Sequence, residues 1–232
     1  MERHAETAAG ASLTLGSGEA AALREAAAPL TLPERAHLDL RFRSAPWRRV
    51  VEGFEPEGRL VDFGCGPGLL AHLLLRAGFA GTYLGIDPDS RKVERARRWL
   101  PESPTRLFST GTVDAATPGA FSQAALIDVL YLVPPPERPD FLARAARALT
   151  PGGLFVALTS GGGPRWNRRL DTAQERLAVG LGITQGGGVV PCDGAEVAGL
   201  LTAAGLTGAA VIDVGRGFLH GFELVSARRP PT

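Results

Sequence analysis

One glycine-rich stretch constrains the fold of this chain more than any other part of its sequence. Residues 60–63 are apolar apart from Asp62 and predict a short β-strand, and glycines follow at positions 64, 66 and 68. Glycine has no Cβ, so it accepts positive φ and lets the backbone approach a ligand closely. The first N–H groups of the helix that follows would face whatever lies over the turn. The stretch therefore predicts a strand–turn–helix unit that holds a nucleoside cofactor, with the Asp62 carboxylate as a further hydrogen-bond acceptor.

The spacing of the glycines limits which ligand the turn can bind. The dinucleotide pattern G-x-G-x-x-G requires a glycine at position 69, where this chain has leucine. The phosphate-binding P-loop requires a lysine directly after its last glycine, and no lysine follows Gly68. The remaining pattern is D-x-G-x-G-x-G. A second acid, Asp87, ends the next predicted strand about twenty residues further on, where a carboxylate binds ribose hydroxyls in a doubly wound sheet.

The rest of the chain continues the alternation of strands and helices. Strands are expected over 60–63, 83–86, 105–108, 123–127 and 154–158, and a closing hairpin over 209–214 and 219–226. Helices are expected over 33–40, from Pro46 through Val51, and over 69–77, 88–100, 137–149 and 195–204. Residues 150–153, Thr-Pro-Gly-Gly, are expected to end the helix over 137–149 before the strand over 154–158 begins. This order predicts an α/β fold with a doubly wound, mostly parallel sheet and helices on both faces.

A length of 232 residues suits a single domain with appendages. Residues 1–28 are rich in alanine and predict a flexible or partly helical leader. Residues 29–232 are expected to form one domain, with an N-terminal segment that could act as a lid. The glycine-rich residues 160–190 are interpreted as an insertion near the substrate, with one helix around 165–179.

The charge and cysteine content narrow the class of protein. The formal net charge is +1, so no basic excess favours nucleic-acid binding. Cys65 and Cys192 are too few for a disulfide framework or a zinc site, so we expect a cytoplasmic protein without a bound metal. No secretory signal and no run of about 20 apolar residues is present, which predicts that the chain does not span a membrane.

Four motifs resemble those of the class I S-adenosylmethionine-dependent methyltransferases. Residues 61–68, Val-Asp-Phe-Gly-Cys-Gly-Pro-Gly, are similar to the first family motif, and residues 84–88, Leu-Gly-Ile-Asp-Pro, to the second. Residues 126–132 resemble the end of the family's fourth strand, and residues 148–154 the turn before its fifth. The resemblance extends from about Arg41 to Arg228. It implies a Rossmann-like, seven-stranded sheet of order 3-2-1-4-5-7-6 with the last strand antiparallel.

The resemblance also implies roles for individual residues in binding S-adenosylmethionine and its product S-adenosylhomocysteine. The turn Gly64, Cys65, Gly66 and Gly68, with Asp62 before it, would hold the methionine part. Asp87 would bind the ribose, Pro88 would pack on the adenine, and Asp128 would lie near the methionine amino group. Thr112 and Val113 stand where the family often has Asp-Ala, so Thr112, or Asp114 in its place, would contact the adenine. Arg43 is a candidate partner of the cofactor carboxylate, with a solvated arginine as the alternative.

No catalytic base can be assigned from the sequence. His37 and His220 are candidates, His72 is interpreted as structural, and Tyr131 faces either the acceptor or the core. Trp47 is expected to pack in the core, with stacking on the substrate as the alternative. Cys65 is interpreted as a small residue of the turn, and Cys192 as a surface or core thiol. Methylation of a small molecule is the favoured function, without a choice of O-, N- or C-acceptor. The alternatives are an RNA or protein methyltransferase and a non-catalytic cofactor-binding protein. Methyltransferases of exocyclic base amines often carry Asn/Asp-Pro-Pro-aromatic after the fourth strand, whereas Asp128 is followed by Val-Leu.

Overall fold

A computed structural model of the chain describes residues 12–160, 190–218 and 221–231. Its seven strands are β1 (Arg59–Phe63), β2 (Thr82–Asp87), β3 (Arg106–Thr110), β4 (Phe121–Ile127), β5 (Leu149–Thr159), β6 (Thr207–Asp213) and β7 (Glu223–Arg228). The helices in these ranges are α1 (Glu19–Ala26), α2 (Leu32–Ser44), α3 (Trp47–Glu52), α4 (Leu69–Arg76), α5 (Ser90–Trp99), α6 (Arg138–Arg147) and α7 (Gly194–Ala203). Short 3₁₀ turns lie at Val113–Ala115, Leu130–Leu132 and Pro135–Glu137.

The strands form one sheet of order β3-β2-β1-β4-β5-β7-β6. Strands β1 to β5 pair in parallel, and β7 is antiparallel to both β5 and β6. The predicted fold class and strand order are therefore confirmed. The order reverses at β1, which has β2 on one side and β4 on the other. In open α/β sheets ligands bind outside the carboxyl ends of the strands at such a point.

Alternate residues of the central strands supply two separate apolar layers. Leu60 of β1 and Tyr83 of β2 pack on the face that α3, α4 and α5 cover, whereas Val61 and Phe63 pack with α6 and α7 on the opposite face. Strands buried on both faces are nearly continuously apolar, as in parallel sheets generally. Asp62 and Asp87 interrupt this pattern at the carboxyl ends of β1 and β2.

Strand β5 is longer than its apolar residues predict. Phe121 pairs with Leu149, but Gln123 pairs with Leu154, so the register jumps across residues 150–153. Gly152 has a φ of 76°, which a residue with a side chain adopts only with strain. The Thr-Pro-Gly-Gly sequence thus bulges out of a strand that already starts at Leu149, rather than separating a helix from the strand.

The described part of the expected leader is packed against the domain. Leu13, Leu15 and Leu23 are buried, and Glu19 of α1 forms an ion pair with Arg76 of α4 at 3.1 Å. The few large apolar residues of this segment are therefore part of the core. The alanine-rich composition of the segment does not indicate this packing. The described residues do not include 1–11, 161–189 or His220, so all but the two end residues of the insertion expected over 160–190, with its helix around 165–179, lies outside them. Within the described ranges, no helix has the length and apolarity that crossing a membrane requires.

Candidate functional site

The three glycines of the turn after β1 all have positive φ, but for different steric reasons. Their φ values are 75° at Gly64, 54° at Gly66 and 86° at Gly68. A Cβ on Gly64 would lie 2.5 Å from Cγ2 of Val129, and one on Gly68 would lie 3.1 Å from a methyl carbon of Leu100. A Cβ on Gly66 would meet no heavy atom within 4 Å. Gly64 and Gly68 thus let the turn sit close to the domain, whereas Gly66 borders open space.

Asp87 holds this turn against the end of β2. Its Oδ2 accepts a hydrogen bond from the backbone N–H of Gly66 at 2.9 Å, and its Oδ1 accepts one from the N–H of Asp89 at 2.9 Å. The carboxylate is 4% exposed. A carboxylate has about four acceptor positions, so each oxygen keeps one for a ligand. Besides the predicted ribose contact, Asp87 therefore has a structural role that its position in the sequence does not reveal.

The floor of the turn is formed by Cys65, which fills the space beside Gly85 of β2. A Cβ on Gly85 would lie 2.9 Å from Sγ of Cys65 and 2.9 Å from a ring carbon of Phe108. Burial is the main cause that raises the pKa of the Cys65 thiol well above its ordinary value. The thiolate is the nucleophilic form, so Cys65 acts as a packing residue.

His72 of α4 also packs below the turn. Its ring lies 5.2 Å from the ring of Trp99, whose Nε1 donates to the carbonyl of Pro67 at 2.7 Å. Burial, together with smaller contributions from nearby arginines, lowers the pKa of His72 to about 4. The imidazole is therefore neutral at pH 7, and its position among packed aromatic groups agrees with a structural role.

A cleft lies above the turn, and its second wall comes from the N-terminal helices. Asp62, the turn and Ile127 line one side, and Leu38, Arg41 and Trp47 line the other. The cleft contains about 390 Å³ of space, including the part that opens to solvent. Leu38 and Arg41 are three residues apart on α2 and so share one face of that helix. This spacing is the signal by which sequence analysis could have found them.

Helix α2 is fastened at both ends. At its start, Glu34 accepts hydrogen bonds from Thr31 at 2.9 Å. Glu34 also forms ion pairs with two residues of α5, Arg95 at 3.0 Å and Arg98. Burial opposes ionisation of Glu34, but these donors outweigh it and lower its pKa to about 2. At its end, the Trp47 indole donates to the carbonyl of Arg41 at 2.9 Å. These contacts hold α2 as one wall of the cleft.

Arg41, and not Arg43, is the arginine that α2 presents to the cleft. Its guanidinium donates to Oδ2 of Asp128 at 2.9 Å. Asp128 has a φ of 58°, a left-handed conformation that turns the chain sharply after β4. Arg43 instead pairs with Asp39 on the same helix at 2.6 Å, and its side chain is 55% exposed. Arg43 thus has the exposed position of the alternative, a solvated arginine, and Arg41, two residues earlier on α2, is the arginine that lines the cleft.

The residues predicted for the adenine end lie together beside Asp87. Thr110 of β3 pairs with Asp87, and the N–H of Gly111 donates to the Asp87 carbonyl at 3.1 Å. Thr112 and Pro88 are exposed, and Val113 is buried. Asp114, the alternative to Thr112, forms an ion pair with Arg144 of α6 at 2.6 Å. Asp114 is thus engaged in an ion pair with a charged residue, whereas the uncharged Thr112 side chain is the more available of the two for a hydrogen bond to adenine.

The candidate bases differ in their surroundings. His37 is half-buried on α2, and burial, with Arg41, Arg95 and Lys92, lowers its pKa to about 4. It is a weak base at neutral pH. Tyr131, in the 3₁₀ turn after β4, interacts with Arg41. Cys192 lies away from the turn, and burial raises its pKa to about 12.

The charges around the cleft suit a zwitterion. The Arg41 guanidinium can pair with a carboxylate, and the carboxylates of Asp62 and Asp128 can accept from an ammonium group. The two acceptor positions left on Asp87 suit a pair of hydroxyls. Arg41 and Asp62 line the cleft, Asp128 contacts Arg41, and Asp87 contacts Gly66 of the turn. These donors and acceptors suit a nucleoside that carries an amino-acid tail.

Comparison with known proteins gives a consistent result. A family model described as a methyltransferase domain matches residues 35–211. A ubiquinone biosynthesis O-methyltransferase from Thiobacillus denitrificans is 35% identical over 118 residues, which cover 49% of this chain and 47% of that protein. A trans-aconitate 2-methyltransferase from Rhizobium meliloti is 37% identical over 102 residues, or 44% of this chain and 38% of the relative. The chain spans about half the length of the curated relatives it matches.

Solved structures share the fold at low sequence identity. Human N-acetylserotonin methyltransferase in complex with SAM has a TM-score of 0.65 at 18% identity, covering 84% of this chain and 55% of that one. A possible histamine N-methyltransferase from Thermotoga maritima has a TM-score of 0.63 at 18% identity, covering 89% and 99%. At this identity the likeness concerns the fold.

Proposed function

This chain belongs to the class I S-adenosylmethionine-dependent methyltransferases, and we propose that it transfers the cofactor's methyl group to a small molecule. The observation that carries the proposal is the cleft itself. It combines a glycine turn next to open space with the Asp62 carboxylate and with the Arg41 guanidinium, which is paired with Asp128. The relatives named above are a ubiquinone biosynthesis O-methyltransferase and a trans-aconitate 2-methyltransferase, and these names support a small acceptor.

The proposed cofactor contacts follow the chemistry of each part. The ammonium group is assigned to Asp62 and Asp128, and the carboxylate to Arg41. The turn of Gly64, Cys65, Gly66 and Gly68 is proposed to support the methionine part by its backbone. Asp87 is assigned to the ribose, and Pro88 with Thr112 and Val113 to the adenine.

The chemistry proposed for the chain itself is positioning. The sulfonium of the bound cofactor supplies an already activated methyl group. The walls from α2 and the turn keep water out and hold the acceptor in line, with reacting atoms about 3–3.5 Å apart. A base adds about 10²–10⁴-fold only when the acceptor must lose a proton. Because His37 is so weak a base, we propose no role for it in proton transfer and leave the base unassigned.

The organisation of the chain enters the proposal as well. We propose that residues 29–232 form the methyltransferase domain, with α2 and α3 as its lid-like N-terminal segment and with Leu13, Leu15 and Leu23 of the preceding residues packed on its core. A cytoplasmic location is proposed because Cys65 and Cys192 are both free and buried, and disulfides are typical of oxidising compartments.

The cofactor assignment is tested by calorimetry with S-adenosylhomocysteine. Asp87→Ala is expected to weaken binding by about 10–100-fold, since a hydrogen bond to a charged group contributes about 1.5–3 kcal/mol. Asp140→Ala is the matched control, because its carboxylate is 74% exposed and pairs with Arg144 on α6. Equal affinities of the two variants would sink the ribose assignment. Tight binding of NAD without binding of S-adenosylhomocysteine would overturn the cofactor.

The acceptor is tested with cofactor labelled in the methyl group. We expect label in at least one compound of a metabolite library when the wild-type protein is present, and loss of that label with Asp87→Ala. Label that enters RNA or protein, but no metabolite, would contradict a small acceptor. Binding of cofactor without transfer to any of the three would favour a non-catalytic role.

A further inference from the structure

Tyr83 is a buried polar residue to which the proposed contacts give no part. It is the second residue of β2, two residues before Gly85, which pairs with Asp62. Its hydroxyl donates to Oδ2 of Asp62 at 2.6 Å. Both residues are buried, at 5% and 2% exposure. A phenylalanine would pack equally well in this layer, so packing alone does not explain the hydroxyl group.

The second oxygen of Asp62 is free for a ligand. Among the donors in residues 12–160, 190–218 and 221–231, none is hydrogen-bonded to Oδ1 of Asp62. Asp62 lines the cleft. One oxygen of the carboxylate is therefore held by Tyr83, while the other accepts no hydrogen bond from the described residues and is available to a ligand in the cleft.

We propose that Tyr83 is a positioning residue for cofactor binding: its hydroxyl fixes the Asp62 carboxylate and keeps it ionised, ready to accept from the ammonium group of S-adenosylmethionine. The inference rests on the proposed function, since it takes that cofactor as the ligand. Tyr83 itself donates to Asp62 and packs in the apolar layer, where its ring makes an edge-on contact with the ring of Phe108 at 5.8 Å between centroids.

The charged surroundings of Asp62 explain why the hydroxyl matters. Burial raises the pKa of Asp62 to about 7, Asp87 adds to the increase, and the hydrogen bond from Tyr83 opposes it. The thiol of Cys65 on the turn is neutral at pH 7, because burial and the carboxylates of Asp62 and Asp87 raise its pKa. Arg41 on α2 lines the same cleft but pairs with Asp128. Tyr83 is thus the group in contact with Asp62 that favours the ionised form.

The expected signature is a pH-dependent loss of affinity. Below its pKa, Asp62 is protonated and loses the charge that attracts an ammonium group, so affinity falls as pH falls. Removing the hydroxyl takes a donor from the ionised form and is expected to move the midpoint upward by about one pH unit. Tyr83→Phe should then bind S-adenosylhomocysteine about fivefold more weakly at pH 7, and within about 1.5-fold of wild type at pH 8.5.

Calorimetry with S-adenosylhomocysteine from pH 6 to 8.5 tests this, on wild type, Tyr83→Phe, Asp62→Asn and the double variant. Asp62→Asn should lose the pH dependence between pH 6 and 8, and adding Tyr83→Phe to it should change affinity by less than about 1.5-fold. Circular dichroism melting shows that each variant is folded at every pH used.

The possible outcomes separate the inference from the proposed function. Wild-type binding with a midpoint near pH 7 that shifts upward in Tyr83→Phe supports the inference. Wild-type binding with equal losses for Tyr83→Phe at pH 7 and 8.5, or with no loss, overturns it and leaves the methyltransferase function intact. Failure of the wild type to bind at any pH refutes the proposed cofactor site itself.

Discussion

Replacing Gly64 or Gly66 by alanine separates the two tasks of the glycine turn. Both residues have positive φ, at 75° and 54°. A Cβ at position 64 would lie 2.5 Å from Cγ2 of Val129, whereas one at position 66 would meet nothing within 4 Å. The same chemical change is therefore expected to damage folding at the first position and ligand binding at the second.

The magnitudes follow from these contacts. A left-handed conformation costs a residue with a side chain about 1–2 kcal/mol, which is the whole expected loss of stability in Gly66→Ala. Gly64→Ala adds the overlap with Val129, for which about 1–3 kcal/mol is typical in a packed site, so its total is about 2–5 kcal/mol. For a domain of this size each kcal/mol lowers Tm by about 2–4 °C. Gly66→Ala should nevertheless lose tenfold or more in affinity for S-adenosylhomocysteine, because its methyl group enters the cleft.

Urea unfolding and calorimetry on the two variants measure both effects. Val129→Ala is the companion variant, because it removes both Cγ atoms and should restore part of the stability of Gly64→Ala. Equal stabilities of Gly64→Ala and Gly66→Ala, or a failure of Val129→Ala to rescue, would refute the steric account. Wild-type affinity in Gly66→Ala would refute the placement of the ligand over the turn.

Two further predictions concern α2 and α4. Arg41→Met is expected to weaken S-adenosylhomocysteine binding about tenfold or more, since a charge-assisted hydrogen bond to the cofactor carboxylate is lost. The control Arg43→Met, which removes only the exposed ion pair with Asp39, should change the affinity by no more than about twofold. Equal losses of affinity for the two variants in calorimetry would contradict the assignment of Arg41. His72 has a pKa of about 4 when folded and an ordinary value of 6.5, so its neutral form stabilises the fold above pH 6.5 and this stability is lost as pH falls toward 4. His72→Phe, which keeps a ring against Trp99, should therefore gain about 2 kcal/mol on the wild type between pH 8 and pH 5 in urea unfolding, and a pH-independent difference would show that His72 is not buried as a neutral ring.

The sequence predicted the sheet well because its signals are local. Periodicity locates the strands, and the order of the strands follows from the resemblance of four motifs to a known family. The start of β5 was predicted too late in the chain for a physical reason. Residues 150–153 have turn composition, yet pairing on both sides keeps them within β5 as a bulge.

The candidate site was predicted on the side that one continuous stretch provides, and missed where distant segments meet. The choice between Arg41 and Arg43 depends on how α2 is rotated, and that rotation is set by Glu34 binding to α5, sixty residues later in the chain. The hydrogen bond from Tyr83 to Asp62 likewise depends on the pairing of two strands. The spacing of Leu38 and Arg41 shows that they share a face of α2, but no local pattern shows that this face meets the cleft or that Tyr83 meets Asp62.

The packing of Cys65 against Gly85 couples two positions that lie twenty residues apart. Cys65 occupies the volume that a side chain at position 85 would need, and Phe108 closes the same space from β3. The size of the residue inside the turn and the absence of a side chain on β2 are therefore one inherited property. A side chain at position 85 would require both a smaller residue at position 65 and a displaced Phe108. A larger residue at position 65 could not be offset at position 85, which has no side chain to lose, and would lift the turn off the sheet and away from Asp87.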